Sequence, residues 1–381
     1  MKIKWLCFAC MLLAAVSCRQ SQIRVTVSNP SGLMQDNIMV EIAWTDILAK
    51  LPSAQPSQLT VLNLKTNEEQ ACQVLFSGTP SPETFIFQVT LAARETAGFI
   101  IREGLPKTFP AKTFGRHVPE RKDDFAWEND RIAFRMYGPA LAKENPSNGV
   151  DLWLKKTEKM IVNQFYNDDL KNGKSYHVDH GEGLDCYSVG HTLGAGGIAP
   201  YVNDTLWVGN HYATQEVLDN GPLRTTFRLK YDNLPVGKKI FSEDLLISLD
   251  AGSQLNKATV SFDGDFTTIQ AAAGIFLHHR QDGITFGDAK EGYITFGETA
   301  TSDAGVPAGR NFVGVVLPKM TEYKEHDGHL LALSPCAKGE KLTCYFGGGW
   351  NQWGFADDKA WTDYVARFAA CLQHPLTVTL E

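Results

Sequence analysis

Between Tyr176 and His191 the chain reads YHVDHGEGLDCYSVGH, so three histidines, two aspartates, one glutamate and two tyrosines fall within sixteen residues. Few of these side chains are apolar, so packing does not account for the composition. The glycines let the backbone turn tightly and approach a ligand closely. Two chemistries suit such a set. One is proton transfer, with His and Tyr as acid and base. The other is a divalent-metal site with His177, Asp179, His180 and Asp185 as ligands. A hydrogen-bonded structural loop is the plain alternative. The TLGAGG that follows is not a phosphate loop, because no strand–helix unit surrounds it.

A second block runs RKDDFAWENDRIAFRMYG from Arg121 to Gly138. Alternation along RIAFRMY places Arg131, Ala133, Arg135 and Tyr137 on one strand face and Ile132, Phe134 and Met136 on the other. Two guanidinium groups on one face suit a carboxylate or sulfate, gripped through paired hydrogen bonds. The competing explanation is an internal network of arginines with the adjacent acids. Weaker candidates are Asn210-His211-Tyr212, His278-His279-Arg280 and Trp350-Asn351-Gln352-Trp353. Neighbouring strand residues point opposite ways, so only one of His278 and His279 can reach a given groove. The tryptophans offer flat faces for a sugar ring, or simply pack.

These residues need a scaffold, and the pattern around them is one of strands. Residues 23–103 alternate in short runs (IRVTV, IMVEIAW, LTVLNL, CQVLF, TFIFQVTL, GFIIRE) bounded by Asn, Pro, Ser or Gly, which predicts a small β-sandwich over 18–105. The proline-rich stretch 106–122 predicts a connector. Residues 123–381 form the main unit, with strands dominating after Pro200. Residues 152–170 (LWLKKTEKMIVNQFYNDDL) predict a helix or a helical excursion, and DDKAWTDYVARFAACLQ predicts an amphipathic helix. The class is therefore mainly β, a large antiparallel two-sheet sandwich with a small N-terminal sandwich and few helices.

Residues 1–17 carry Lys2 and Lys4 ahead of a short apolar stretch and end Ala15-Val16-Ser17 before Cys18. That pattern predicts a lipoprotein signal peptide, export, and lipidation at Cys18, with the protein anchored to the outer membrane or facing the periplasm. Export implies an oxidising compartment. The remaining cysteines, Cys72, Cys186, Cys336, Cys344 and Cys371, are odd in number, so at least one thiol is free. Cys336 and Cys344 flank AKGEKLT, a hairpin-like spacing that would suit a cross-strand disulfide. With 36 Lys+Arg against 43 Asp+Glu and no basic run interleaved with aromatics, nucleic acid is not an expected partner. No pattern bears on oligomeric state.

ERKDDFAWENDRIAFRMYGPA (120–140) and DHGEGLDCYSVGHTLGAGG (179–197) give the chain its resemblance to a family of secreted bacterial proteins whose defining domain is of unknown function. The resemblance covers most of the chain. It implies a galactose-mutarotase-like supersandwich and a place in polysaccharide utilisation beside sulfatases and unsaturated-glucuronyl hydrolases. A related enzyme is an oligosaccharide dehydratase, which removes water from a terminal hexuronate to leave a 4,5-unsaturated sugar. The resemblance carries no residue roles with it, so those come from the chemistry.

β-Elimination needs a base for the C5 proton, donors or a cation for the carboxylate, and an acid for the group leaving C4. His180 or His191 is the expected base, Tyr187 the acid, and His211 assists. Arg131, Arg135, Trp127, His177, His279 and Trp350 are the expected substrate contacts. No cofactor is required, the divalent metal being the alternative, and the expected partners are an acidic oligosaccharide and a membrane reached through the lipid. A glycoside hydrolase or epimerase would use a carboxylate pair instead, from Glu128, Asp130, Glu182 or Asp185. A non-catalytic sugar-binding lipoprotein is the third reading.

Overall fold

Runs of alternating apolar residues become strands whose inner faces fill one large core and several smaller ones. The computed structural model describes residues 22–144, 149–209, 211–278, 281–302 and 304–381. The expected signal segment 1–17, Cys18 and His279 lie outside the described residues. Among the described residues no helix is long and apolar enough to cross a membrane.

The fold is mainly β, as the sequence predicts. An eight-stranded antiparallel sheet runs in the order Thr214–Asn220, Arg224–Val236, Lys239–Asp250, Leu255–Asp263, Leu342–Trp350, Pro307–Val316, Tyr293–Thr301, Ile284–Asp288. A four-stranded sheet (Ala195–Tyr201, Thr268–Phe276, His329–Ala337, Glu322–His326) faces it. Phe227, Leu229, Ile247, Val260 and Phe346 from the first meet Ala271, Ala273, Ile275 and Leu330 from the second in the largest core. The helix Asp358–Leu372 covers the outer face, burying Trp361 and Val365 on Phe312 and Val316.

A third, five-stranded sheet carries the arginine block, ordered Gly183–Asp185, Val150–Lys155, Ala133–Met136, Asp124–Asn129, Thr113–Val118. Phe125, Trp127, Phe134, Leu152 and Leu154 turn one face to the main core, where Phe125 stacks on Phe227 at 4.1 Å between ring centroids. Ala126, Ala133 and Trp153 turn the other face to the helix Val162–Asn172. Two expectations are corrected here. Residues 152–170 are not one helix: the first part alternates with period two and is a strand, and helical spacing begins only at Val162. Within the expected connector, residues Thr113–Val118 are a strand, paired with Asp124–Asn129.

The N-terminal unit is a sandwich of a five-stranded and a three-stranded sheet, with Ile23, Val25, Val27, Phe85 and Phe87 among its core. The chain's end returns to it: Thr377–Leu380 pairs with Gln22–Ser28, so the second unit does not extend to residue 381. Cys336 and Cys344 are both free thiols. Cys336 belongs to the four-stranded sheet and Cys344 to the eight-stranded one, so AKGEKLT crosses between sheets instead of turning a hairpin.

Candidate active site

Alternation along Ala133–Met136 does put Arg135 opposite Phe134 and Met136, but that face is closed by the helix Val162–Asn172 and the loop after it. The Arg135 side chain is 2% exposed. Its Nε donates to Asp151 (2.8 Å), Nη2 to Asp185 (2.8 Å) and Nη1 to the Tyr176 hydroxyl (3.0 Å). It also lies over the rings of Tyr137, Trp153 and Tyr176. A guanidinium so buried and engaged is not presented to a substrate, and the internal network is the explanation that holds. Arg131 precedes the strand, partly exposed, over Trp353 and 3.5 Å from Glu158. The expected paired grip of the two arginines is therefore corrected.

The carboxylates of the hydrolase alternative are likewise engaged. Glu128 accepts from Lys155 (2.7 Å) and from the amides of Ile161 (2.8 Å) and Val162 (2.7 Å), capping the helix that closes the arginine face. Asp130 accepts from Gly252 N at 2.7 Å, and Glu182 from Lys159 at 3.1 Å and Gln164 at 2.7 Å. Two expected sugar platforms are core residues: Trp127 and Trp350 are buried, their indole N–H groups donating to Asn256 and to the Ala308 carbonyl.

The four residues of the metal alternative are not gathered into one group. Among the described residues no group of three or more His, Cys, Asp or Glu is placed to hold a metal ion. Asp185 serves Arg135. Asp179 pairs with Lys156 and accepts from Gly181 N (2.8 Å) and Gly183 N (3.2 Å). Burial works against its charge, but these donors hold it below the usual carboxylate range. His177 Nδ1 is 3.1 Å from the Asp185 carbonyl, and His180 Nε2 is 3.0 Å from the Ser175 carbonyl. The first half of the motif is thus a stitched loop.

The second half is different. Cys186, Tyr187 and Ser188 line a cavity of about 280 Å³ together with His278, Glu298 and Asn311. His191 and Thr192 line a second cavity, of about 530 Å³, with Trp207, Phe276, Asp327 and His329. The segment 186–192 therefore contributes to both, Cys186, Tyr187 and Ser188 to the smaller and His191 and Thr192 to the larger. Phe276 bridges them, its ring 4.8 Å from His278 and 5.3 Å from His329.

Three histidines here have distinct states. His278 Nδ1 is 2.6 Å from Glu298, and its Nε2 meets the Ser188 carbonyl. Both partners are acceptors, so both ring nitrogens carry hydrogen and the ring is an imidazolium. Burial opposes that charge, but Glu298 outweighs it and raises the pKa. His329 accepts from Leu193 N at Nε2 (3.1 Å) and donates from Nδ1 to the Asp327 carbonyl (2.8 Å), which makes it neutral and structural. His191 is exposed on the larger cavity, with no ring-nitrogen partner among the described residues.

Tyr187 stands edge-on to His278 at 4.7 Å. Its hydroxyl is buried and has no hydrogen-bond partner among the described residues. Burial first, then the carboxylates of Glu298 and Asp151, push the phenol well above its ordinary value, so it stays a proton donor. His211 is buried, its pKa lowered by desolvation, and lines neither cavity. Of the expected catalytic set, Tyr187 lines the smaller cavity and His191 the larger, on one short segment, and His180 and His211 line neither. Glu298 lay hidden in a strand pattern (GYITFGE), and His278 looked no better than its neighbour.

The chain belongs to the family defined by the domain of unknown function DUF4861, which matches residues 27–378. "Uncharacterized protein P7" of Formosa agariphila is 32% identical over 286 residues, 70% of each chain. In fold the chain is similar to two solved proteins of Enterococcus faecalis. One is described as a protein in the glycosyl hydrolase family 38 (TM-score 0.51, 10% identity, 95% of this chain and 47% of that one). The other is described as an alpha-mannosidase (TM-score 0.50, 9% identity, 95% and 46%). The chain thus spans about half the length of those two structures.

Proposed function

We propose that the protein is an exported, Cys18-anchored carbohydrate-active enzyme that eliminates water or a glycosyl group from C4 of a hexuronate. The reaction centre is the 186–192 wall. His191 takes the C5 proton; the C5–H pair becomes the C4=C5 double bond as the C4–O bond breaks, and Tyr187 donates its proton to the departing oxygen. With the wall still open as product leaves, water takes the proton from His191 and returns one to the phenolate. The substrate carboxylate meets neutral donors, Asn311 and the hydroxyls of Thr299 and Thr301, which line the smaller cavity. Trp207 supplies a ring face in the larger one.

The observation that carries this reading is the Tyr187 hydroxyl. Buried hydroxyls are nearly always satisfied from within the protein, and an orphan at a cavity wall marks a place where a substrate oxygen completes the set. The hydroxyl has no solvent contact, so engagement requires the cavity wall to open toward it. The likeness in fold to proteins described as a glycosyl hydrolase and a mannosidase supports a sugar substrate. Hydrolysis by a carboxylate pair is less well served. Among the described residues each cavity offers one acid, Glu298 already bound to His278 and Asp327 in the other.

Uronate-terminated oligosaccharides incubated with the purified protein test it. New ultraviolet absorbance from the conjugated product, absent with Tyr187→Phe, is expected. Reducing-sugar release without that absorbance would replace elimination by hydrolysis.

A further inference from the structure

We propose a second, non-catalytic binding site for an anionic sugar where the N-terminal sandwich, the helix Asp358–Leu372 and the outer face of the eight-stranded sheet meet. A cavity of about 230 Å³ opens there, away from residues 186–192. Hydrogen bonds and an ion pair join the two units beside it. Gln73 accepts from the amides of Leu223 (2.9 Å) and Arg224 (2.8 Å), Gln88 donates to Ala251 O (2.7 Å), and Arg224 pairs with Glu41 (2.8 Å). Cavities at such junctions are common ligand sites.

The charged lining is balanced in number, Asp36, Glu41 and Asp250 against Arg224, Lys257 and Arg367, but not in engagement. Sheet register sets Ser248, Lys257 and Tyr345 side by side on three adjacent strands. Phe368 of the helix meets Tyr345 edge-on, 5.1 Å between ring centroids, and both rings are half-buried, leaving a two-sided aromatic corner. The carboxylates at the cavity are committed: Asp250 and Glu41 to Arg224, and Asp36 to the Thr90 hydroxyl (2.6 Å). The cations are not. Lys257 and Arg367 are exposed, line the same cavity, and form no ion pair among the described residues. Two uncommitted cations beside an aromatic corner, on a chain of net charge −7, favour an anionic ring with apolar C–H faces. A uronate or sulfated sugar residue is that ligand. Its effect would be to hold a polymer while another residue of the same chain reaches the reaction centre, a gain in effective concentration.

The choice of ligand class rests on the proposed sugar chemistry; the cavity and its uncommitted cations do not. Calorimetric titration of the full chain with an oligogalacturonate tests it, with a neutral cello-oligosaccharide as control. Lys257→Ala/Arg367→Ala should weaken oligogalacturonate binding roughly tenfold or more. Tyr345→Ala should do the same by removing the ring, and neither change should alter turnover of a short substrate. The cello-oligosaccharide should not bind here. Binding to Tyr187→Phe should persist, and binding to the wild type without any elimination would sink the proposed activity while leaving this site standing. Equal affinity of wild type and both variants, equal binding of the neutral probe, or no oligogalacturonate binding at all would overturn the site.

Discussion

Replacing Arg135 by Met separates an internal guanidinium from a substrate-gripping one. The wild-type cation is shared by Asp151 and Asp185 at hydrogen-bonding distance, with Asp124 a further 3.9 Å contact, and all of these side chains are 0–2% exposed. Methionine fills much of the volume but removes the cation shared by Asp151 and Asp185, leaving Arg121, 3.5 Å from Asp124, as a nearby positive charge. Breaking a buried ion pair from one side costs about 3–5 kcal/mol, and three acids leaning on one cation place this variant at the upper end. Part of the loss returns on acidification. Left without the cation, the acids have raised pKa values in the folded state, so the folded protein holds protons that the unfolded chain releases, and stability falls as pH rises through that window. Urea unfolding measures the effect as a drop in midpoint at constant slope. Arg131→Ala is the control: a partly exposed pair with Glu158 is worth roughly 0–1 kcal/mol. If Arg135→Met instead unfolds within about 0.5 kcal/mol of wild type and loses saccharide binding, the guanidinium is accessible to ligand and the internal network is wrong.

Glu243 is buried, and that burial, with Asp244 adding to it, raises its carboxyl from 4.5 to about 8. The folded form therefore keeps a proton between about pH 4.5 and 8 that the unfolded chain gives up, so stability declines as pH rises across this window. Glu243→Gln should flatten that decline, seen as a urea midpoint that changes less between about pH 5 and about pH 8 than in wild type. Gly183 has φ of +124°, and a Cβ there would stand 2.0 Å from the Leu154 carbonyl oxygen. Gly183→Ala should therefore cost at least about 2 kcal/mol in the same assay and disturb the Asp185–Arg135 pairing that follows it.

Much of the fold was legible because strands announce themselves by period two and the helix Asp358–Leu372 by its spacing of Trp361, Val365 and Phe368. The return of Thr377–Leu380 to the first strand was not legible, since nothing in PLTVTL says which sheet edge it meets. The site was half legible. Alternation placed Arg135 on the right face, but whether a face is open depends on what covers it, and the cover is a helix capped by Glu128 from another strand. In the His/Asp motif, residue types alone could not divide the stitched loop around Asp179 from the cavity wall at 186–192. That division follows from backbone contacts to Gly181 and Gly183. Glu298 escaped notice because a single acid in an apolar strand has no signature until a histidine from another sheet meets it.

The central claim is that proton transfer occurs at the 186–192 wall. The most direct test follows conjugated product from a uronate-terminated oligosaccharide with wild type, Tyr187→Phe, His191→Ala and His180→Ala side by side. Product from wild type and His180→Ala, with loss of at least about a hundredfold in the other two, is the result this structure predicts. Product formation that survives both Tyr187→Phe and His191→Ala, or that vanishes with His180→Ala, would contradict it.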